Sequence, residues 1–122
     1  MNALRDFLVA LTFLTRLGRA RISTNEEISH SMGMYPLVGA VIGLLLALAS
    51  LLPPTPWVLA WVLAGLNLWV TRGLHWDGWA DLWDGWGSGA SGDRFWEIVK
   101  DSRIGAFGVM GLVLGLGAQT AL

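Results

Sequence analysis

With 122 residues and no cysteine, this chain has room for one compact unit and none for disulfides, thiolate metal sites or a cysteine nucleophile. Hydrophobic residues make up 54% of it and charged residues 14%, which argues against a soluble domain and for an integral membrane protein. The net charge of −1 averages separate basic and acidic patches, and the 8 scattered Lys and Arg residues are too few to track a phosphate backbone, so no nucleic-acid partner is expected.

The first apolar stretch, residues 4–17, is interrupted by Arg5, Asp6 and Arg16. Arg5 ahead of an apolar core invites a secretory-signal reading. However, Arg16, Arg19 and Arg21 follow that core and no A-x-A cleavage site does, so an interfacial or partly inserted amphipathic helix is expected. Residues 34–52 form an uninterrupted apolar run long enough to cross a hydrocarbon core of about 30 Å. Pro53-Pro54-Thr55-Pro56 then stops the helix in a short uncharged turn. Residues 57–71, or 57–74, make a second apolar segment with Trp57 and Trp69 near its ends, where indoles favour the membrane interface. No Asp, Glu, Lys or Arg occurs between Gly33 and Thr71, so the two segments read as a membrane hairpin. Residues 104–122 are a third apolar run, and Gly105, Gly108, Gly111, Gly115 and Gly117 suit it to close backbone packing. The fold class expected is all-α: a polytopic helical membrane protein in one domain, residues 1–122. It would have three transmembrane helices, an N-terminal interfacial helix and a cytoplasmic acidic helical segment. The basic residues around Arg19 and Arg21 outnumber those of the proline turn, so the positive-inside rule puts them, and the stretch from His75 to Arg103, in the cytoplasm.

That stretch carries the chemistry. Read as one helix, residues 75–86 place Asp77, Asp81 and Asp84 within an arc of roughly 60°. Trp76, Trp79, Trp83 and Trp86 centre about 150° away, and Gly78 and Gly85 form a bare strip between, where another backbone or a ligand can approach. The indoles suit packing against other helices or the headgroup layer. Like charges on one stripe repel unless a cation lies among them. The bland alternative is a solvated acidic face. Beginning at a membrane segment, where burying a carboxylate is costly, favours the cation, as does a second stripe of Asp93, Glu97 and Asp101 spaced four apart beyond a glycine-rich linker at 85–92. Oxygen-only ligands suit Mg²⁺, or Mn²⁺, rather than Zn²⁺. His75 points away from the acidic stripe, leaving a helix-start role, a substrate contact and metal ligation all open. Ser91 is a candidate N-cap for the second acidic helix. Arg94, Lys100 and Arg103 either pair with the acids or hold phosphate oxygens. The glycine-rich linker is not a P-loop, since no GK[ST] follows it.

Gly73-Leu74-His75-Trp76-Asp77-Gly78-Trp79-Ala80-Asp81-Leu82-Trp83-Asp84-Gly85 resembles the hallmark of the cobalamin synthases, the adenosylcobinamide-GDP ribazoletransferases. Arg94 with Glu97-Ile98-Val99-Lys100-Asp101-Ser102-Arg103-Ile104-Gly105 is similar to the family's second signature, and Phe13-Leu14-Thr15-Arg16-Leu17 and Tyr35-Pro36-Leu37-Val38-Gly39 fit as well. Gly18 departs from the family's common proline, and Trp76, Trp79 and Trp83 replace smaller residues. The resemblance covers the N-terminal half of such proteins. It implies transfer of the phosphocobinamide moiety of adenosylcobinamide-GDP to α-ribazole, or its 5′-phosphate, with release of GMP and with Mg²⁺, in the prokaryotic cytoplasmic (inner) membrane. It implies a metal and pyrophosphate site at Asp77, Asp81 and Asp84, completed by Glu97. Asp101 is the expected base, and His75, Arg94, Lys100, Ser102 and Arg103 the expected substrate contacts. A homo-oligomer or other cobalamin-pathway proteins are the expected macromolecular partners, beside the lipid membrane. The D-x-x-D-G core is also a remote echo of the CDP-alcohol phosphotransferases, although their following A-R pair is absent. Two rivals stand beside this reading: a non-catalytic fragment that folds only with further helices, and a cation-handling membrane protein with an acidic mouth. The second calls for acids within the spans, and 34–52 and 57–71 contain none.

Overall fold

The computed structural model describes residues 2–18, 22–53 and 55–121; the expectations that involve Arg19, Arg21, Pro54 and Leu122 fall outside them. Among the described residues every regular element is helical, so the all-α class holds. The chain divides into two compact units, Met1–Gly73 and Leu74–Leu122, described in turn.

In the first unit, α1 (Ala3–Leu14) starts at Asn2, whose side chain accepts from the Leu4 N–H. Its amphipathic pattern buries Val9, and packs Ala10 and Leu14 with Val38, with Phe7, Leu11, Tyr35 and Ile42 around that cluster. Leu4 and Leu8 stay exposed on the other side. α2 (Asn25–Ser31), a 3₁₀ turn (Met32–Met34) and α3 (Tyr35–Ala49) run on as one rod of 25 residues, polar at its start and apolar after it, long and apolar enough to cross a membrane. The rod begins earlier than the apolar run because Thr24 and Glu27 form a capping box, each side chain accepting from the other's backbone N–H. Arg5 reaches across to Glu27 at 2.6 Å and ties α1 to that cap. α4 (Pro56–Thr71) opens with a proline at its first position, where the missing N–H costs nothing. It ends with Arg72 at φ 58 and Gly73 at φ 69, the left-handed pair closing the helix through a Gly73 N–H to Leu68 carbonyl bond. The Arg16 N–H donates to the Val70 carbonyl at 2.8 Å and its guanidinium lies 5.7 Å from the Trp69 ring centre, so the segment after α1 is fastened to the end of α4.

In the second unit α5 (Leu74–Gly87) packs against both α6 (Asp93–Val99) and α7 (Ala106–Ala121). The helices α4 and α7 have 16 residues each, about 24 Å of rise. Both units expose large apolar side chains, among them Leu44 at 62%, Trp57 at 60% and Val113 at 66%. Large apolar side chains exposed in such number suit contact with lipid or other helices.

Candidate functional site

The site is built on α5, and glycines decide how close its neighbours come. Along α7, a Cβ at Gly105 or Gly108 would run into the Asp84 carboxylate, one at Gly111 into the Trp83 indole, and one at Gly115 into Trp76. The two helices are therefore antiparallel; of the five glycines expected to give close packing, Gly111 and Gly115 seat indoles, Gly105 and Gly108 seat the carboxylate, and nothing lies within 4 Å of Gly117. The Trp79 Nε1–H donates to the Gly111 carbonyl at 2.9 Å, which satisfies the indole's polar tip. Trp86, at 74% exposure, stays outside this interface.

On the other flank, α6 lays Phe95 and Val99 against Gly85. Part of the bare strip read from the wheel is thus the place where another element approaches, while nothing lies near Gly78. Two expectations change here. The linker does not begin at Gly85: α5 continues to Gly87, because a buried glycine inside the helix is what admits α6. Nor does Ser91 cap α6; its N-cap is Gly92, at φ 60, with no side-chain cap.

The acidic residues occupy different settings. Asp84 is turned into α7, where its Oδ2 accepts from the Gly105 N–H and its Oδ1 from the Gly108 N–H, both at 2.7 Å. Asp77 is exposed and Asp81 half-buried. Burial, then the charges of Asp77 and Asp84, push the Asp81 carboxyl above its ordinary 3.8. Glu97 pairs with Arg94 at 2.7 Å on an exposed face, an ion pair of small worth. Asp101 accepts from the Arg103 backbone N–H and holds its guanidinium at 2.8 Å. Those hydrogen bonds lower the Asp101 carboxyl to about 2 and raise Arg103 in turn.

Asp84, Asp101 and Arg103 share a groove of about 510 Å³ with Ser88 and the first residues of α7. His75 lies elsewhere, lining a cavity of about 360 Å³ with Trp76, Trp79 and Gly115. Lys100 follows the end of α6 and Ser102 is exposed in the loop beyond it. The structure thus places Asp77, Asp81 and Asp84 on α5, turns Asp84 to α7 and into a groove with Asp101 and Arg103, and leaves His75 and Glu97 outside that groove. Among the described residues, no three His, Asp or Glu side chains converge on a single cation position. The sequence reading missed the backbone amides of Gly105 and Gly108; their signal was the glycine pair itself, three apart at the start of an apolar helix.

A helical protein with extensive apolar surface and a carboxylate-bearing helix held between two others belongs to the class of membrane-associated helical proteins. The chain is a member of the cobalamin-5-phosphate synthase family, whose model it matches over residues 6–122. It is 55% identical over 97% of its length to the adenosylcobinamide-GDP ribazoletransferase of Nitratidesulfovibrio vulgaris (strain DSM 19637 / Miyazaki F), covering 48% of that protein. It is 44% identical to the enzyme of the same name from Desulfitobacterium hafniense (strain Y51) and 42% to that of Brevibacillus brevis, over 95% and 93% of its length and 48% and 47% of theirs. The chain spans about half the length of the curated relatives it matches. No solved structure matches it.

Proposed function

We propose that this chain supplies the carboxylate-bearing half of an enzyme that transfers the phosphocobinamide group of adenosylcobinamide-GDP to α-ribazole, or its 5′-phosphate, and releases GMP at the cytoplasmic face of a prokaryotic inner membrane. The observation that carries this reading is the family match over residues 6–122, which takes in Asp77, Asp81 and Asp84 on the single helix α5. Burial and the like charges of Asp77 and Asp84 raise the Asp81 carboxyl, a setting that a divalent cation would ease, and the donors are all oxygens, as Mg²⁺ or Mn²⁺ prefers. Mg²⁺ is commonly held by one or two carboxylates together with substrate phosphates, so a pair of α5 aspartates is a sufficient protein contribution.

In this reading Asp77 and Asp81 would hold the ion, with Asp84 and Glu97 the further carboxylates of the unit. When bound, the ion offsets charge on the pyrophosphate and on the leaving GMP. A hydroxyl of α-ribazole attacks the cobinamide-side phosphorus, the bond from that phosphorus to the oxygen of GMP breaks with its electron pair going to GMP, and the hydroxyl proton passes to water. Arg103, fixed by Asp101 at the lip of the groove, presents charge-assisted donors to phosphate oxygens, and Arg94, Lys100 and Ser102 are the other contacts proposed for the substrate. With its carboxyl held near 2, Asp101 is a weak base; a loose phosphoryl-transfer transition state asks little more of it. His75, beside Trp76 and Trp79, suits an apolar or planar part of a substrate better than a metal.

The test is GMP release from adenosylcobinamide-GDP and α-ribazole by the chain in lipid nanodiscs, alone and with the remaining half of a relative. Asp77→Asn and Asp81→Asn should each abolish the Mg²⁺-dependent release without unfolding the helices. Near-normal turnover in both variants would end the assignment.

A further inference from the structure

We propose that Asp84 is a positioning residue: its carboxylate fastens the acidic helix to the start of α7 and leaves Asp77 and Asp81 to face the cation, a division of roles that rests on the metal reading above. The two amides that Asp84 accepts belong to the residue just before α7 and to the third residue within it. These are the same two donors that a capping box satisfies from within one helix. Gly105 has no side chain to do so, and the carboxylate of α5 takes its place from 21 residues away. Both oxygens are used, each at 2.7 Å, and the negative charge lies at the positive end of the α7 dipole.

The glycines supply an independent observation. A Cβ at either Gly105 or Gly108 would occupy the space of this carboxylate, so the two positions are shaped around Asp84 and not merely beside it. Fixing Gly105 also fixes the loop before it. That loop carries Asp101 and Arg103, and both line the groove that Asp84 shares. One side chain therefore sets the acidic helix, the start of α7 and the cationic lip of the groove relative to one another.

Amide hydrogen exchange and Mn²⁺ binding, measured on the full chain in detergent micelles with adenosylcobinamide-GDP present, test this. Asp84→Ala should speed exchange at Gly105 and Gly108 by about 10- to 100-fold, the range expected for losing a charge-assisted bond. Asp84→Asn keeps one acceptor and should preserve protection at one of the two amides, a partial rescue. Gly108→Ala, which crowds the carboxylate without changing charge, should reproduce the loss if Asp84→Ala does not fold. Mn²⁺ affinity, read by electron paramagnetic resonance, should stay within about threefold of the parent in Asp84→Asn and fall at least about tenfold in Asp81→Asn. In the GMP-release assay Asp84→Asn should lower kcat about tenfold at unchanged Mg²⁺ half-saturation, where a purely stabilising contact would lower only the melting temperature. Unchanged exchange at both glycines, or Mn²⁺ affinity lost in Asp84→Asn as in Asp81→Asn, overturns the proposal. If the parent itself binds no Mn²⁺, the metal reading fails, and the exchange result alone decides the clamp.

Discussion

Alanine at Gly111 and alanine at Gly117 are the same substitution on the same helix, yet the seating of α5 on α7 gives them opposite effects. A Cβ at Gly111 lands in the Trp83 indole, whereas nothing lies within 4 Å of one at Gly117. In a helix interior the change gains about 1 kcal/mol of propensity. At Gly111 this is outweighed by overpacking of about 1–3 kcal/mol and by loss of the Trp79–Gly111 hydrogen bond, about 0.5–1.5 kcal/mol. The net expectation is that Gly111→Ala destabilises the second unit by about 0.5–3.5 kcal/mol and that Gly117→Ala stabilises it by roughly 0.5–1 kcal/mol. Thermal melts in one detergent, followed by tryptophan fluorescence and circular dichroism, measure both. A Gly111→Ala variant as stable as the parent, or the same sign for both substitutions, would refute the antiparallel seating of α5 on α7.

Further outcomes follow from the same geometry. Because the folded chain raises the Asp81 pKa, its ionisation opposes folding: stability falls as pH climbs from the ordinary 3.8 through the raised value, and Asp81→Asn should remove that fall while abolishing turnover, as paired pH-dependent melts would record. Arg103→Ala should return the Asp101 carboxyl from about 2 toward 3.8, read by carbon-13 titration of the side chain; an unmoved value would discount the pairing. Thr24→Ala should cost about 1 kcal/mol by opening the capping box, visible as lost helicity at Asn25–Ser31 and unchanged helicity in α5.

Much of this architecture could be read from local pattern. Proline at 53–56 marks where one apolar helix stops and α4 begins, and the glycine-rich final run marks α7. The indole face of α5 was legible because a period of 3.6 is a property of the helix itself. The role of Asp84 was not, since a wheel shows which residues share a face but not that two backbone amides more than twenty positions along will meet one of them. Gly85 misled for a related reason. In a run of glycine and serine it resembles linker, while in three dimensions its bare Cα is the contact surface for Phe95 and Val99. The start of the long rod was hidden by polarity: Asn25 to Ser31 are polar except for Ile28, and only the Thr24–Glu27 pair announces a helix there.

The central claim, that two aspartates of α5 hold a divalent cation against a substrate pyrophosphate, is tested most directly by titrating Mn²⁺ into the purified chain with adenosylcobinamide-GDP and following water-proton relaxation. Saturable binding that Mg²⁺ displaces, and that both Asp77→Asn and Asp81→Asn remove, is the expected result. Binding that survives both substitutions, or no saturable binding at all, would contradict it.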